Sequence, residues 1–279
     1  MGHTAADQLA TILAYDDARG APVSNAPHAG FQRLDARGTV VIADTGPPPP
    51  VSASSEAHAS CLAFELSSGR NRIIVNCGMT DINRERWRQV ARATAAHSTA
   101  VVGETSSCRF FHAGRISRML GAPIVSGPKS VPVQRATREG AVLLRVSHDG
   151  YAEPFGVVHQ RSWRLSTDGG RLDGEDLFRP AVETTPFGAT PFVVRFHLHP
   201  DASTVLLALP GGEAWAFVAQ GQTVGVEESI FLAAPDGPRR SLQLTLSGSL
   251  AETSRVTWTL VRTREGQPAR PAPARPAPR

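Results

Sequence analysis

The chain has 279 residues, of which 41% are hydrophobic and 19% charged, so it can bury a core and is not a mainly disordered protein. Its net charge is +4, and Lys129 is the only lysine among its 29 basic residues. The arginines are scattered rather than gathered in one run, so we expect no nucleic-acid partner. No apolar run approaches the ~20 residues that cross a bilayer, so we expect no membrane span, and no secretory signal is visible.

The amino-terminal part predicts little regular structure. Residues 5–15 predict one short helix, because Leu9, Ile12 and Leu13 fall on one stripe. Residues 16–38 then predict a polar, turn-rich coil. We therefore interpret residues 1–38 as a lead-in to the folded domain.

The middle of the chain consists of short apolar runs separated by Gly, Pro, Asp or Ser. They predict strands at residues 39–43, 61–66, 72–76, 99–103, 140–148, 155–166, 191–198, 204–209, 214–219, 222–227, 240–247 and 255–262. A second helix is predicted at residues 83–93. Residues 265–279 contain only Glu, Gly, Gln, Pro, Ala and Arg and predict a disordered tail.

Several of the predicted strands alternate between apolar and polar residues. Leu242, Leu244 and Leu246 face one way, and the residues between them face the other, which is typical of antiparallel strands with one buried face. About a dozen such strands at roughly ten-residue spacing predict an all-β fold. We expect a large antiparallel, multi-stranded β-sandwich over residues 39–264, with one or two short helices.

Common catalytic motifs are absent. The sequence has no G-x-S-x-G nucleophile elbow, P-loop or dinucleotide fingerprint. Cys61, Cys77 and Cys108 predict neither a disulfide framework nor a Cys-x-x-Cys metal site. His197 and His199 form a His-x-His pair, and alternate residues of a strand share a face. The pair could therefore hold a metal or an anionic group, or both side chains could be structural.

Several distinctive motifs follow one another along the chain: HASCLAFELSSG followed by RIIVNCG, then ATAAHSTAVV, VSHDGY, VVHQR, DGGRLDGED and RFHLHPD. In this order they resemble the C-terminal domain of heparinase II/III-like proteins, a polysaccharide lyase family, and the resemblance covers roughly residues 30–263. It implies a β-sandwich that in this family follows an N-terminal α/α toroid, with the substrate cleft between them. The helix at residues 5–15 could be a remnant of such a toroid, which would have to be upstream or separate.

The family chemistry that the resemblance implies is β-elimination on acidic, uronate-containing glycans, the work of a carbon–oxygen lyase. The resemblance also implies a metal, usually zinc, held by two histidines and an aspartate of the sandwich. Those positions fall at His58, Asn76 and His97, and Asn76 weakens the site because its amide oxygen is neutral. Glu56 stands where the family has its catalytic histidine, so we expect the isolated chain to be inactive.

Other side chains within the resembling segments have weaker assignments. Arg161 and His159 lie on one long predicted strand, where a polar pair with a neighbouring strand is the expected role. Glu65 is expected to be a hydrogen-bonded polar group inside the sandwich. Four side chains are candidates for the substrate cleft: His148, Tyr151, His197 and His199.

Three interpretations of function remain open. The chain is part of a lyase whose toroid comes from elsewhere, a non-catalytic module that binds acidic polysaccharide or is structural, or a truncated product without function. The arginines are either a biased choice of surface residue or partners for carboxylate and sulfate groups. The sequence gives no location, and the resemblance implies the bacterial cell envelope or periplasm.

Overall fold

We analysed a computed structural model that describes residues 20–80, 84–111, 122–183, 186–202, 206–209 and 212–264, together with residues 11 and 14. Those two isolated residues are helical, and the rest of the predicted helix at residues 5–15 lies outside the described part, as does the predicted tail at residues 265–279. In the part that is described, no helix is long and apolar enough to cross a bilayer.

The described elements are mainly strands. In chain order they are β1 (Asn25–Ala26), β2 (Phe31–Ala36), β3 (Thr39–Asp44), β4 (Phe64–Ser68), β5 (Asn71–Val75), β6 (Ala100–Val102), β7 (Arg109–Phe110), β8 (Ile124–Ser126), β9 (Val133–Arg138), β10 (Ala141–Tyr151), β11 (Val157–Leu165), β12 (Arg171–Pro180), β13 (Pro191–Leu198), β14 (Leu206–Ala208), β15 (Glu213–Gln220), β16 (Gly225–Phe231), β17 (Arg239–Ser249) and β18 (Arg255–Arg264). The helices are α1 (Arg84–Arg92) and α2 (Ala152–Phe155), and short 3-10 turns span Val51–Ala53 and Thr94–Ala96.

The strands form two large antiparallel sheets. The first has the order β1–β2–β3–β4–β5–β13–β17–β16, with β6 also paired to β13. The second has the order β14–β15–β18–β12–β11–β10–β9, and β7 and β8 form a small separate ribbon. The all-β sandwich predicted from the alternating pattern is therefore confirmed.

Some boundaries differ from those predicted. β1 and β2 lie inside the predicted lead-in yet join β3, so the first sheet begins before residue 39. The predicted strand at residues 155–166 starts only at Val157, because α2 ends there at Gly156, whose φ is +66°. The strand predicted at residues 61–66 starts at Phe64, after Leu62 has turned the chain with φ +62°.

The core between the sheets is rich in aromatic rings. Phe64 of the first sheet stacks on Trp258 of the second at 5.4 Å between ring centroids, and Phe196 meets the same indole edge-to-face at 4.9 Å. Offset and edge-to-face contacts of this kind add to the stabilisation that burial alone provides. Trp163 also lies in this cluster and is fully buried.

An ion pair is buried among these rings. Arg161 of β11 donates from Nε to Oδ1 of Asp176 at 2.7 Å and from Nη2 to Oδ2 at 3.1 Å, and both side chains are 0% exposed. Its Nη1 donates to the carbonyls of Leu62 at 3.0 Å and Ser98 at 2.7 Å. Since those carbonyls precede β4 and β6, one guanidinium of the second sheet binds two connections of the first.

Two histidines continue this network across the second sheet. His159 Nε2 donates to Asp176 Oδ1 at 2.7 Å, and His148 Nε2 donates to His159 Nδ1 at 3.3 Å. The amide of Gly150 donates to His148 Nδ1 at 3.1 Å, which fixes the tautomer of both rings. Burial lowers the pKa of both histidines, so they are neutral. Burial alone would raise the pKa of Asp176, but Arg161 and His159 hold it well below its usual value.

Removing the guanidinium is expected to leave Asp176 as an uncompensated buried charge. We therefore expect Arg161→Met to lower the free energy of unfolding by about 3–5 kcal/mol. The measurement is urea denaturation. Arg164→Met, on the same strand but 42% exposed, is the matched control and should change stability by less than about 0.5 kcal/mol. A loss below about 1 kcal/mol for Arg161→Met would contradict this account.

Candidate functional site

Two imidazoles meet beside the first sheet, in connections that lead into β4 and β6. His58 lies in the connection that precedes β4, and His97 follows the 3-10 turn Thr94–Ala96. Their Nδ1 and Nε2 atoms are 3.0 Å apart, and the rings meet edge-to-face at 5.1 Å. His97 Nδ1 donates to the Ala93 carbonyl at 2.8 Å, so its Nε2 is the acceptor and His58 Nδ1 the donor.

Burial keeps both rings neutral. It lowers the pKa of His58 to about 4 and holds the pKa of His97 well below its ordinary value. With its proton on Nδ1, the neutral His58 ring keeps a lone pair on Nε2. The pair can therefore accept a proton or a hydrogen bond, and it carries no positive charge at neutral pH.

Asn76 follows β5 and lines the same cavity as both histidines, a space of about 240 Å³. Its Oδ1 accepts the amide of Ser98 at 2.9 Å, and its Nδ2 donates to Glu65 Oε1 at 3.2 Å. The structure thus brings together the three side chains that the resemblance implied as metal ligands. Glu65 accepts a hydrogen bond from the Asn76 amide, and it was expected from the sequence to be a hydrogen-bonded polar group.

The arrangement does not fit a three-ligand zinc site. The described residues contain no group of three His, Cys, Asp or Glu side chains placed to hold a metal ion. The two imidazoles bond to each other, and the Asn76 oxygen already accepts an N–H. A neutral amide is also a poorer zinc ligand than a carboxylate.

Arg92 of α1 fixes the connection that carries His58. Its buried guanidinium donates to the carbonyls of Ala57 at 2.6 Å and Ser54 at 2.9 Å. The amide of Ala59 donates back to the Arg92 carbonyl at 2.9 Å. The position of His58 is therefore set by the last turn of a helix.

The neighbouring Arg88 determines the surroundings of Glu56. It donates to the Ser55 carbonyl at 2.8 Å and pairs with Glu56 at 2.9 Å, and the Glu56 side chain is 51% exposed. The residue at the expected position of the catalytic histidine is thus a carboxylate in an ion pair. Arg88 and Arg92 thus both donate to backbone carbonyls of the connection that carries His58.

Asp44, at the end of β3, was not singled out from the sequence. Its Oδ2 accepts the Ser60 hydroxyl at 2.5 Å and its Oδ1 the Gly46 amide at 3.3 Å, while burial raises its pKa to about 6. Asp44, His58 and Ser60 also line a second cavity of about 180 Å³, beside Cys61 and Cys108. The available sequence signal was an aspartate directly after the apolar strand predicted at residues 39–43.

His148 and Tyr151, proposed from the sequence as cleft residues, lie in the interior. Both are fully buried, and the Tyr151 hydroxyl donates to the Ala100 carbonyl at 2.9 Å. His148 belongs to the histidine network of the second sheet. These contacts are structural and give no support to a cleft role for either side chain.

His197 and His199 are also buried and bind different partners. His197 Nε2 donates to the Ala95 carbonyl at 2.9 Å, and its Nδ1 accepts the Ser229 hydroxyl at 2.7 Å. Burial lowers the pKa of His197 to about 4. His199 meets the Phe231 ring edge-to-face at 5.0 Å. The described contacts favour the structural alternative for the His-x-His pair.

Two large antiparallel sheets that share one core define a β-sandwich module, and an imidazole pair lies beside the first sheet. The chain belongs to the family described as heparinase II/III-like, C-terminal, whose model matches residues 18–259. The family expected from the sequence motifs is therefore confirmed.

Solved structures share this fold. The heparan sulfate lyase HepC of Pedobacter heparinus matches with a TM-score of 0.64 and 15% identity, over 88% of this chain and 36% of its own. A structure of heparinase III matches with a TM-score of 0.58 and 12% identity, over 86% of this chain and 37% of its own. At these identities the likeness establishes the fold.

One curated relative has higher identity. FtsZ-localized protein C of Caulobacter vibrioides is 33% identical over 221 residues, which cover 75% of this chain and 38% of the relative. The chain thus spans little more than a third of the length of the relatives it matches.

We expect the purified protein to hold well below one zinc per chain after dialysis, because two imidazoles and a neutral amide are a weak donor set. Asn76→Asp supplies a carboxylate and should tighten zinc binding by about tenfold or more, whereas Asn71→Asp, on the preceding strand, should not. The measurement is metal analysis with zinc titration. Stoichiometric zinc in the wild-type protein would contradict our interpretation of the site.

Proposed function

We propose that the chain is the sandwich part of a polysaccharide lyase-related protein that acts on acidic, uronate-containing glycans. The observation that carries the proposal is the His58–His97 pair in an open cavity of a heparinase II/III-like sandwich. We further propose that catalysis needs an α/α toroid from another chain or from a longer form of the protein.

The chemistry explains why a second domain is needed. β-Elimination removes the proton at C5 of a uronate, forms a double bond between C4 and C5, and expels the oxygen linked at C4. It requires a base for the proton, an acid that protonates the leaving oxygen, and a donor that neutralises the carboxylate as charge develops. The neutral His58 ring has a lone pair to accept a proton or a hydrogen bond. However, Glu56 brings a negative charge that is already paired with Arg88, so it cannot neutralise a substrate carboxylate.

Our proposal for localisation is the bacterial cell envelope or periplasm, where such glycans are met. The relatives' greater length is compatible with a toroid in a longer protein. A partner domain would place the missing catalytic side chains next to the cavity that His58 and His97 line.

The isolated chain is expected to bind uronate oligosaccharides without cleaving them. Cleavage would create an unsaturated uronate and new ultraviolet absorbance, and none should appear with any uronate polymer. Calorimetry should detect weak binding that falls with added salt, since the contacts are between charges near the surface. Clear cleavage by the isolated chain would refute its proposed dependence on a second domain, and absence of all glycan binding would refute the function.

A second candidate is a non-catalytic module that localises with FtsZ. It is favoured by the relative FtsZ-localized protein C, which by its name localises with FtsZ, and by Glu56 at the expected catalytic position.

A fluorescent fusion of the full chain separates the two candidates. The second candidate predicts that the fusion follows labelled FtsZ in cells, and that the His58→Ala variant of the fusion does the same. An even distribution along the cell would count against this candidate and leave the glycan proposal standing.

A further inference from the structure

The second sheet ends in a strand with one open edge. β9 is the last strand in its order and pairs with β10 alone among the described strands, and all six of its residues, Val133–Arg138, are exposed. Proteins usually protect such edges by shortening them, by a bulge, by proline or by charge. β9 has neither a bulge nor a proline, so its protection is its charge.

The backbone of β9 offers a row of unpaired groups. β9 and β10 are joined by the two-residue turn Glu139–Gly140, with φ of +50° and +74°, which makes Arg138 and Ala141 the closing hydrogen-bonded pair. Hydrogen-bonded pairs alternate along an antiparallel ladder. The N–H and C=O groups that point away from β10 therefore belong to alternate residues, namely Val133, Arg135 and Thr137. Within the described residues these three make no backbone hydrogen bond outside the sheet.

Three arginines surround this edge: Arg135 and Arg138 on β9, and Arg145 on β10. Arg135 Nη1 donates at 3.4 Å to the carbonyl of Ser24 and at 3.3 Å to the side-chain oxygen of Gln32, both of which are neutral. Arg138 and Arg145 form no hydrogen bond or ion pair through their side chains within the described part of the chain. Their charge is therefore open to a partner.

The acidic residues near β9 do not balance these arginines. Burial lowers the pKa of Arg135 and the nearby Asp35 opposes this, but Asp35 forms its ion pair with Arg33 at 3.1 Å. The turn contributes a single carboxylate, that of Glu139. The open edge thus combines unpaired backbone groups with an excess of positive charge, which favours an acidic partner.

We propose that β9 is a docking strand for an acidic, extended segment of a partner protein, which adds to the second sheet as a further strand. The open N–H and C=O groups bind the backbone of that segment, and Arg135 and Arg138 meet its carboxylates. A polysaccharide could meet the arginines, but it has no backbone of regularly spaced N–H and C=O groups. A second copy of β9 would set arginine against arginine, which is destabilising. The docking strand belongs to the second sheet, whereas His58 and His97 lie beside the first, so it is separate from the proposed glycan site.

The test uses the whole chain and a short peptide with blocked ends, in which glutamate alternates with valine or threonine. At saturating peptide, hydrogen exchange followed by NMR should slow about tenfold or more at the amides of Val133, Arg135 and Thr137, because these gain acceptors. The control is the same peptide with a methyl group on every backbone nitrogen, which keeps its charge but removes its donors. Equal affinity for the methylated peptide would overturn strand addition.

Three variants locate the contact. Arg138→Glu replaces attraction by repulsion and should weaken peptide binding about tenfold. Thr137→Pro removes one outward N–H without breaking the ladder to β10 and should weaken binding about fivefold. Arg179→Glu, at an exposed position of β12, is the matched control and should leave affinity unchanged. Thermal unfolding confirms that each variant is folded, and full affinity in both β9 variants would overturn the assignment.

Other occupants give different results. A uronate oligomer that displaces the peptide at equal concentration would assign the arginines to a glycan and overturn the protein partner. Dimers that form with rising protein concentration and are lost in Arg138→Glu would assign the edge to a second copy of the chain, which also overturns the proposal. Failure of the peptide to bind would overturn the docking strand and leave the glycan proposal standing.

Discussion

The bidentate pair between Arg161 and Asp176 is the interaction on which the described fold depends. Its energy alone is not the reason, because a buried ion pair roughly balances its desolvation cost. The reason is geometric: the same guanidinium binds the carbonyls of Leu62 and Ser98, which belong to connections of the opposite sheet. The Trp258 indole fixes the carboxylate from a third strand, at 2.9 Å. This polar cluster therefore connects the two sheets and also holds backbone that leads to the candidate site.

The path from this cluster to the site is short. Ser98, whose carbonyl Arg161 binds, donates its amide to Asn76 and its hydroxyl to the Val75 carbonyl at 2.7 Å. His97 is the residue before Ser98. A substitution of Arg161 would therefore alter the backbone next to His97 and the hydrogen bond that positions the Asn76 side chain. It would do so although Arg161 does not line the cavity.

The sequence predicted the architecture well and the site in part. Strands with alternating apolar residues were found because burial repeats every second residue. β12 was missed because two of its inward positions are Gly174 and Asp176, so its apolar pattern is broken. Gly174 is needed there because a Cβ would lie 2.1 Å from the Trp258 ring, and Asp176 because it pairs with Arg161. Neither reason is visible in a single sequence.

The adjacency of His58 and His97 came from family motifs, since no local pattern links residues 39 positions apart. Asp44 was missed because it joins His58 and Ser60 in the lining of the cavities only once the chain has folded. Alternate residues of a strand share a face, and this rule suggested that His197 and His199 act together. The rule does not reach His199, because β13 ends at Leu198. His199 lies beyond that end and contacts Phe231.

Helix α1 holds both imidazoles of the candidate site. Arg92 clamps the loop that bears His58, and the Ala93 carbonyl, one residue beyond the helix, holds the His97 ring. Both attachments lie on consecutive residues, Arg92 and Ala93, so the end of one helix sets the separation of the two imidazoles before any ligand arrives. The hydrogen bond from Arg161 to the Ser98 carbonyl then ties this preformed pair to the second sheet.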